Sequence, residues 1–377
     1  MLRFADVRIL LDYRPALRQR TGVGEYVHQL AVALVPQLGP GDDLTVFSSS
    51  WKDRLPSDAV PGAQPVDARI PVRLLNLAWH RLSWPPVEVI AGQQDIAHAF
   101  HPLLIPARRA AQVVTINDLY FLDRPEDTHR EIRRDYRSLA SAHALRADHV
   151  IAISDYTAGQ AVNRLEVPSD RITVCRPGAP AWAPRQDVVS DGPILFIGTL
   201  EPRKNVDTLI RAYARLLASR SDAPPLVVAG RTTDRSTFIL GSLSSPDLKG
   251  RARHLGYVSD AERESLYRGA SMLVVPSLDE GFGITALEAM TVGVPVIAAN
   301  RGALPEVVGD AGTLIEPLDD AAITAAMARL LDDPARMRAC AEAGVRRAAS
   351  FTWSESATRL RGAYQAALER RRRRGLS

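Results

Sequence analysis

Short apolar runs alternate with amphipathic stretches along the chain, and the alternation falls into two blocks. In the first block, predicted strands begin at Val7, Leu44, Ile96, Gln112, His149 and Arg171. In the second block, they begin at Pro193, Leu226, His254, Ser271, Val294 and Gly312. Short apolar runs separated by helical periodicity are typical of buried parallel strands with crossover helices. The pattern predicts an α/β protein with two Rossmann-like, doubly wound parallel-sheet domains.

Two stretches interrupt the first block. Residues 51–69 are rich in Pro, Asp and Ser, which predicts a loop. Residues 73–91 predict a helix that Pro85 and Pro86 cut, and it carries Trp79 and Trp84. These aromatic side chains either pack in a core or touch a lipid surface.

The two blocks are separated by residues 177–193, which contain several Pro and Gly residues and show no periodicity. This predicts an N-terminal domain over 1–183 and a C-terminal domain over 184–352. A final helix is predicted over 353–377, and one interpretation has it crossing back to the N-terminal domain. Its arginine run, 370–374, is either a frayed solvated tail or a contact for anionic lipid or acidic partners.

Bulk composition narrows the function classes. A chain of 377 residues is longer than one core usually supports, and its net charge of +4 does not indicate a nucleic-acid partner. The two cysteines, Cys175 and Cys340, lie far apart without metal-ligand spacing, which suits a reducing compartment. Since no run approaches the ~20 apolar residues of a spanning helix, we expect a cytoplasmic protein, with contact at the inner membrane face left open.

One strand–glycine–helix unit shows the chemistry of a phosphate site. The apolar run 271–275 leads into Gly281-Phe282-Gly283, and good helix formers follow from Ala286. The backbone N–H groups of Gly283, Ile284 and Thr285 would point out of the helix N-terminus, where phosphate binds favourably. Glu280 and Glu288 bracket this unit. Taken alone, Glu280 is better explained as a solvated loop acid and Glu288 as a helix-surface charge.

A pair of cations follows the first strand of the second block. Arg203 and Lys204 come after Gly198 and before a helix, and burial of two cations at a strand end is costly without anions. Together with the helix N-terminus at Gly283, they predict a diphosphate site. Positive potential for a leaving diphosphate comes from a metal or from such side chains. The sequence contains no Asp-x-Asp motif, so we expect a site without metal or other cofactor.

The run Glu280-Gly281-Phe282-Gly283 with Glu288, preceded by Glu201-Pro202-Arg203-Lys204-Asn205, resembles the retaining nucleotide-sugar glycosyltransferases of the GT-B fold. It is most similar to family four, which contains many bacterial mannosyl- and glucosyltransferases. The resemblance runs from Gly22-Val23-Gly24 to Val307. It implies two domains facing across a cleft, with the N-terminal domain on the acceptor side and the C-terminal domain holding the nucleotide sugar.

The resemblance also implies roles for individual residues. Glu280 would hold the hydroxyls of the transferred sugar, and Glu288 those of the ribose. Arg203 and Lys204 would bind the diphosphate, and Gly24 would line the cleft from the other domain. The remaining donor contacts would come from Gly256, Tyr257, Val258, Phe282, Gly283, Ile284 and Thr285.

This sequence departs from the family at Asn117-Asp118, where the family usually has His-Asp at the end of a strand. The histidine touches the donor sugar near the reacting carbon. Asn117 can form hydrogen bonds but cannot titrate, so a role that needs an imidazole is lost. His98 and His101 end the neighbouring strand, and a structural role is the simpler interpretation of both.

Three functions are compatible with this pattern. The first is a metal-independent, retaining hexosyltransferase acting by front-face substitution, with mannose from GDP-mannose favoured, and a glycan or lipid-linked acceptor. The second is a nucleotide-sugar-binding pseudo-enzyme or partner subunit, inactive because Asn117 replaces histidine. The third is a sugar-nucleotide epimerase of the same architecture, against which the cation pair and paired glutamates argue.

Overall fold

A computed structural model describes residues 6–17, 20, 22–128, 130–248 and 250–375. The chain divides into two compact units. Unit 1 comprises residues 1–178 and 352–377, and unit 2 comprises residues 179–351. The sequence pattern placed these boundaries after residues 183 and 352.

Unit 1 contains one sheet, in which the described residues form seven parallel strands in the order β3-β2-β1-β4-β5-β6-β7. The inner strands are buried on both faces, as their continuous apolar runs predicted. The strands are β1 (Arg8–Asp12), β2 (Asp43–Ser48), β3 (Gln64–Asp67), β4 (Ile96–Ala99), β5 (Ala111–Ile116), β6 (His149–Ala152) and β7 (Ile172–Val174).

Six helices of unit 1 connect these strands within the described residues. The predicted helix over 73–91 is confirmed as two helices on either side of Pro85 and Pro86. The helices are α1 (Gly22–Leu34), α2 (Val72–Leu82), α3 (Val87–Ala91), α4 (Tyr120–Asp123), α5 (Arg130–Arg146) and α6 (Asp155–Leu165).

Strand β3 corrects the prediction of a loop over 51–69. Its sequence, Gln-Pro-Val-Asp, has no apolar run because it lies at the sheet edge and pairs only with β2. Pro65 is tolerated there because an edge strand leaves one row of N–H positions unpaired. Periodicity therefore could not reveal this strand.

Unit 2 contains a second parallel sheet, with six strands among the described residues in the order β10-β9-β8-β11-β12-β13. The strands are β8 (Ile194–Ile197), β9 (Leu226–Ala229), β10 (Ala252–His254), β11 (Met272–Val275), β12 (Val296–Ala299) and β13 (Thr313–Ile315). The helices are α7 (Val206–Ser219), α8 (Thr237–Leu243), α9 (Asp260–Gly269), α10 (Ile284–Val292), α11 (Leu304–Val308), α12 (Asp320–Asp332) and α13 (Pro334–Ala348). The two sheets confirm the predicted doubly wound α/β class.

The final helix, α14 (Trp353–Arg373), belongs to unit 1, where it packs against α1 and strands β5, β6 and β7. Tyr364 on α14 is buried, and its hydroxyl is 2.7 Å from Nδ1 of the buried His98. Strand β4, which contains His98, is therefore tied to α14, the last helix of the chain.

The arginine run is not the frayed tail that the sequence allowed. Arg370 pairs with Asp170 at 2.8 Å, and Arg374 pairs with the buried Asp148 at 3.2 Å. Arg371 is itself buried and donates to the carbonyl of Arg108 at 2.8 Å. These contacts fix the end of α14 to unit 1, because each of these three guanidinium groups donates to a carboxylate or a carbonyl there.

Candidate functional site

The loops after β8 and β11 meet in unit 2 at the point where the strand order reverses direction. From β8 the chain proceeds to β9 on one side, and β11 and β12 lie on the other. The two loops are joined by a hydrogen bond from the N–H of Leu278 to the carbonyl of Arg203 at 2.8 Å. In open α/β sheets this switch point is where ligands bind. The predicted residues Arg203, Lys204 and Glu280 all lie here.

The Glu280 carboxylate is the centre of this cluster, and it is buried with only 7% of the residue exposed. Lys204 Nζ lies 2.5 Å from Oε1, and Ser277 Oγ donates to the same oxygen at 2.8 Å. Arg203 Nη1 lies 3.4 Å from Oε2, while its Nε donates to Glu201 at 3.0 Å. The structure therefore brings the predicted cations and the first glutamate into direct contact.

Burial and charge act in opposite directions on this cluster. Burial alone would raise the pKa of Glu280, but the charges of Lys204 and Arg203 reverse this and hold the pKa below its usual range. The pKa of Lys204 is lowered, chiefly because burial disfavours the ammonium, although Glu280 acts in the other direction. Two partly buried cations and a buried carboxylate are thus held at short range, where an arriving anion interacts strongly.

The backbone around the cluster is fixed by close packing. Asn205 has a left-handed conformation with φ 54°, and its amide donates to the carbonyls of Pro276 and Pro317 at 3.0 and 2.7 Å. This ties the loop after β8 to the loops after β11 and β13. Gly302 has φ 60°, and a Cβ there would lie 2.6 Å from backbone atoms of Glu280. Asn205 and Gly302 therefore position the charged residues of the cluster.

Helix α10 begins beside Glu280, as the sequence predicted. Gly283 is its N-cap with φ 108°, and a Cβ on it would lie 2.7 Å from Leu304 Cδ2. Phe282 is buried and packs edge-to-face on Phe351 at 5.8 Å. The first N–H groups of the helix, at Ile284 and Thr285, have no intrahelical acceptor, so this end carries partial positive charge.

Glu288 lies on α10 and is buried, so it is not a helix-surface charge. The Tyr267 hydroxyl donates to its Oε2 at 2.9 Å, and Arg263 Nη2 lies 3.2 Å from its Oε1. The same hydroxyl also lies 3.2 Å from the carbonyl of Thr285. Helix α9 thus supplies two residues that sequence reasoning missed. Their spacing of four residues places them on one helix face, but nothing in the sequence indicates the partner.

Residues 256–258 follow β10 and form a loop, whereas the sequence predicted a strand there. The strand ends at His254, whose Nε2 lies 2.8 Å from the carbonyl of Gly230. Gly256 has φ 72° and accepts a hydrogen bond from the N–H of Gly230 at 2.7 Å. Tyr257 is exposed, and the Arg231 guanidinium lies 4.8 Å from its ring centroid. Val258 follows in the same loop.

The predicted residues of unit 1 lie at the ends of its own elements. Asn117 follows β5, and its side-chain amide donates to the carbonyl of Phe100 at 2.9 Å. Asp118 accepts from the N–H of Tyr120 at 3.2 Å. Gly24 lies within the first turn of α1, where a Cβ would come 2.6 Å from the Pro15 carbonyl oxygen. Gly24 therefore permits close backbone packing.

The two histidines near Asn117 differ in role. His98 is fully buried between Tyr364 and Thr115, and burial lowers its pKa to about 3, so it is structural. His101 lies 3.4 Å from Oδ2 of the buried Asp12, which Arg14 also holds at 2.6 Å. These residues follow β4 and β1, the switch point of the first sheet. Sequence reasoning missed Asp12 and Arg14.

Comparison with known families divides the chain in the same way. Residues 20–181 match the family described as Glycosyltransferase Family 4, and residues 188–347 match Glycosyl transferases group 1. The chain belongs to the family-four glycosyltransferases of the GT-B fold. As a member of that family it is a hexosyltransferase, and it acts on a nucleotide sugar.

Individual relatives agree with the family. The glycosyltransferase is 29% identical to O-antigen chain mannosyltransferase B of Escherichia coli, over 95% of this chain and 100% of the relative. It is 33% identical to D-inositol 3-phosphate glycosyltransferase of Thermobispora bispora, over 59% of this chain and 57% of the relative. Sucrose-phosphate synthase from Thermosynechococcus elongatus has the same fold, with a TM-score of 0.77, 21% identity and coverage of 96% and 98%.

Within the part of the glycosyltransferase that the structure describes, no helix combines the length and apolar character that a membrane crossing needs. Across the same described residues, no three His, Cys, Asp or Glu side chains are grouped as metal ligands.

Proposed function

We propose that this glycosyltransferase moves mannose from GDP-mannose to a glycan or lipid-linked acceptor, with retention of configuration and without a metal ion. The observation that carries the proposal is the cluster of Lys204, Arg203 and Glu280 beside the N-terminus of α10. It places two cations and a helix dipole at a sheet switch point, which suits a diphosphate. It also places a buried carboxylate beside them, which suits the sugar that the diphosphate carries.

The diphosphate would be held by Lys204, Arg203 and the first N–H groups of α10. Before the donor binds, Glu280 is the partner of both cations. We infer that the phosphate oxygens take over part of this pairing, and that Glu280 then accepts hydrogen bonds from sugar hydroxyls. The cations would stabilise the charge that develops on the leaving phosphate, which is where a preorganised site contributes most.

In the proposed front-face reaction, the bond from the sugar C1 to the phosphate oxygen breaks as the acceptor oxygen forms a bond to C1 on the same face. The acceptor proton passes to the departing phosphate oxygen. No protein base is required, so the amide of Asn117 is compatible with turnover. The protein contributes orientation and charge stabilisation.

The nucleoside would lie beyond the diphosphate. We assign Glu288 to the ribose hydroxyls, with Tyr267 and Arg263 fixing its carboxylate. The loop 256–258 with the exposed Tyr257 would border the base. Mannose is favoured as the transferred sugar because the Escherichia coli relative that the chain matches along its whole length is named a mannosyltransferase.

The acceptor side is assigned to unit 1. Asn117 and Asp118 follow β5 there, and the Asp12, Arg14 and His101 cluster lies at the switch point of that sheet. Carboxylate, guanidinium and imidazole groups at such an edge suit the hydroxyls of a glycan.

The test is release of nucleoside diphosphate from a panel of donors, with GDP-mannose, GDP-glucose, UDP-glucose and UDP-N-acetylglucosamine each offered alone and with oligosaccharide acceptors. We expect the fastest release from GDP-mannose, an unchanged rate in excess chelator, and an α-anomeric product by NMR. Turnover of a different donor would contradict the mannose assignment, and a β product would contradict retention. Tight donor binding without any turnover would contradict the transfer reaction itself.

A further inference from the structure

Five large apolar side chains of unit 1 are exposed on one segment of the chain. On α2, Leu74 and Leu77 lie three residues apart on one face, and Leu82, which is 71% exposed, is the last residue of the helix. The surface continues beyond the helix with Trp84, 60% exposed, and Val89 on α3, 65% exposed. We call Leu74, Leu77, Leu82, Trp84 and Val89 the α2–α3 surface. Exposed apolar groups concentrated in one segment mark an interaction site.

The segment that carries Leu82 and Trp84 is held in place. Trp79 Nε1 donates to the carbonyl of Pro85 at 3.0 Å, which ties the turn to α2. The N–H of Val87 donates to the carbonyl of Pro106 at 2.7 Å, which ties α3 to the loop before β5. The apolar side chains are therefore presented by a fixed backbone, so little ordering is required when a partner binds.

Arginines accompany this surface. Arg81 lies on the same face of α2 as Leu74 and Leu77, and its side chain is half exposed. Arg108 and Arg109 are exposed on the loop that α3 contacts. The carboxylate of Glu88, also on α3, accepts the N–H groups of Arg108, Arg109 and Ala110 at 2.8 to 3.1 Å. The carboxylate of this segment is thus engaged by backbone N–H groups. Arg108 and Arg109 are exposed, whereas Arg81 also lies 3.5 Å from the buried Asp135 carboxylate.

A small cavity lies directly beside Trp84. Its volume is about 180 Å³, and Ser83, Trp84, Arg108 and Arg146 are among the residues that line it. Arg146 ends α5, and its carbonyl accepts from Arg374 at 3.3 Å, while Arg374 also pairs with Asp148. A cavity of this size with two arginines and a serine in its lining suits one phosphate group.

We propose that the α2–α3 surface docks on an anionic phospholipid bilayer, with a lipid phosphate in the cavity lined by Arg108 and Arg146. Apolar side chains next to a Trp and flanked by arginines are the features of a segment that lies in the membrane interface. A second copy of the chain would present the same arginines, and like charges would face each other. The inference does not rest on the proposed donor chemistry, so either can fail without the other.

The experiment is co-sedimentation of the full chain with vesicles of phosphatidylcholine, with and without about 30 mol% phosphatidylglycerol. We expect binding to the anionic vesicles, weakened by salt. Replacing both Arg108 and Arg146 with Ala should lower the affinity about 30-fold, since each arginine near an anionic surface contributes about five- to sixfold. Leu82→Ser with Trp84→Ser should lower it at least about tenfold.

The matched controls lie in unit 2. Phe238→Ser removes another exposed aromatic side chain, and Arg253→Ala another exposed arginine. Neither should change vesicle binding, and none of the variants should change GDP release from GDP-mannose in solution. Leu82→Ser alone provides a second test, since so exposed a side chain is not needed for folding.

Three results would overturn the proposal. The first is equal binding of wild type and both double variants to anionic vesicles. The second is binding of inorganic phosphate by the protein, abolished by Arg108→Ala with Arg146→Ala, in the absence of any vesicle binding. The third is a lipid-free dimer in analytical ultracentrifugation that Trp84→Ser dissociates, because this would show that a second copy occupies the surface.

Discussion

Two buried carboxylates of unit 2, Glu280 and Glu288, differ in what holds them. Lys204 and Arg203 hold Glu280 from the loop after β8, whereas Tyr267 and Arg263 hold Glu288 from helix α9. The cations that hold Glu280 can pair with a phosphate instead, so this carboxylate is suited to the reacting end of the donor. The carboxylate of Glu288 is fixed by a phenol and a guanidinium. It is therefore suited to hold the ribose equally well in the ground state and in the transition state.

The substitution Glu288→Gln tests this division. We expect the KM for the nucleotide sugar to rise about 10- to 100-fold with kcat nearly unchanged, because ribose binding is equal in ground and transition states. Steady-state GDP release measures both constants, and Glu264→Gln on α9 is the control because Glu264 pairs only with Arg268 among the contacts described. A loss confined to kcat would contradict the assignment.

A second prediction concerns Asn117. We expect Asn117→His to change the rate of GDP release less than about tenfold, because the proposed reaction transfers its proton to the leaving phosphate. General acid–base catalysis by an imidazole is worth about 10²- to 10⁴-fold. A gain of that size would show that the native chain lacks a group the reaction needs, and would favour a binding protein over an enzyme.

Sequence reasoning found the charged residues that directly follow strands and missed their partners. Lys204 and Glu280 were accessible because a parallel sheet brings the carboxyl ends of its strands to one edge. Arg263 and Asp12 could not be found from the sequence. Arg263 lies on a helix face and Asp12 at a strand end, and their roles become clear only when the residues next to them in space are known. The contacts of the arginine run could not be predicted for the same reason, since Asp148 and Asp170 lie far away in sequence.

Helix α10 has a tightly constrained beginning. Gly283 combines a left-handed φ of 108° with contact against Leu304 of α11. The glycine pattern predicted this turn correctly. It could not show that β3 is a strand or that β10 ends at His254, because edge strands lack the apolar runs on which prediction depends.

The substitution Gly283→Ala should lower the free energy of unfolding by about 1 to 3 kcal/mol, because a Cβ meets both the backbone strain and the Leu304 side chain. It should also reduce donor binding, since the N–H groups of α10 would shift. Urea unfolding and calorimetric titration with GDP measure these effects. In the control, Gly362→Ala on α14, a Cβ meets nothing within 4 Å, and we expect unchanged or higher stability. Full stability of Gly283→Ala would contradict the packing argument.

For the whole molecule, the histidines predict acid sensitivity located in unit 1. Burial lowers the pKa of His98 to about 3, and of His143 and His149 to about 4, from 6.5. The unfolded chain therefore binds protons that the native state excludes. The contribution of these histidines to the free energy of unfolding is fully present above pH 6.5 and is lost as the pH falls from 6.5 towards 4 and then 3. At pH 5, each histidine lowers the free energy of unfolding by on the order of 2 kcal/mol.

Thermal unfolding between pH 5 and pH 8 measures this decline. The variant His98→Gln should flatten the pH dependence while lowering stability at pH 8, because it removes the titrating group and disturbs the contacts with Tyr364 and Thr115. The control, His254→Gln, removes a histidine of unit 2 that lies at the end of β10. If the pH dependence of unfolding were the same in wild type and His98→Gln, the buried histidine would not be its source.

The proposed function requires that the cluster around Lys204 binds and activates a nucleotide-diphosphate sugar. This role is tested most directly by the rate of GDP release from saturating GDP-mannose by wild type, Lys204→Met and the exposed-site control Lys52→Met. We predict turnover by wild type and Lys52→Met, and a loss of about 10²- to 10³-fold in Lys204→Met, as expected when one group that stabilises transition-state charge is removed. Equal rates for Lys204→Met and wild type would contradict the claim.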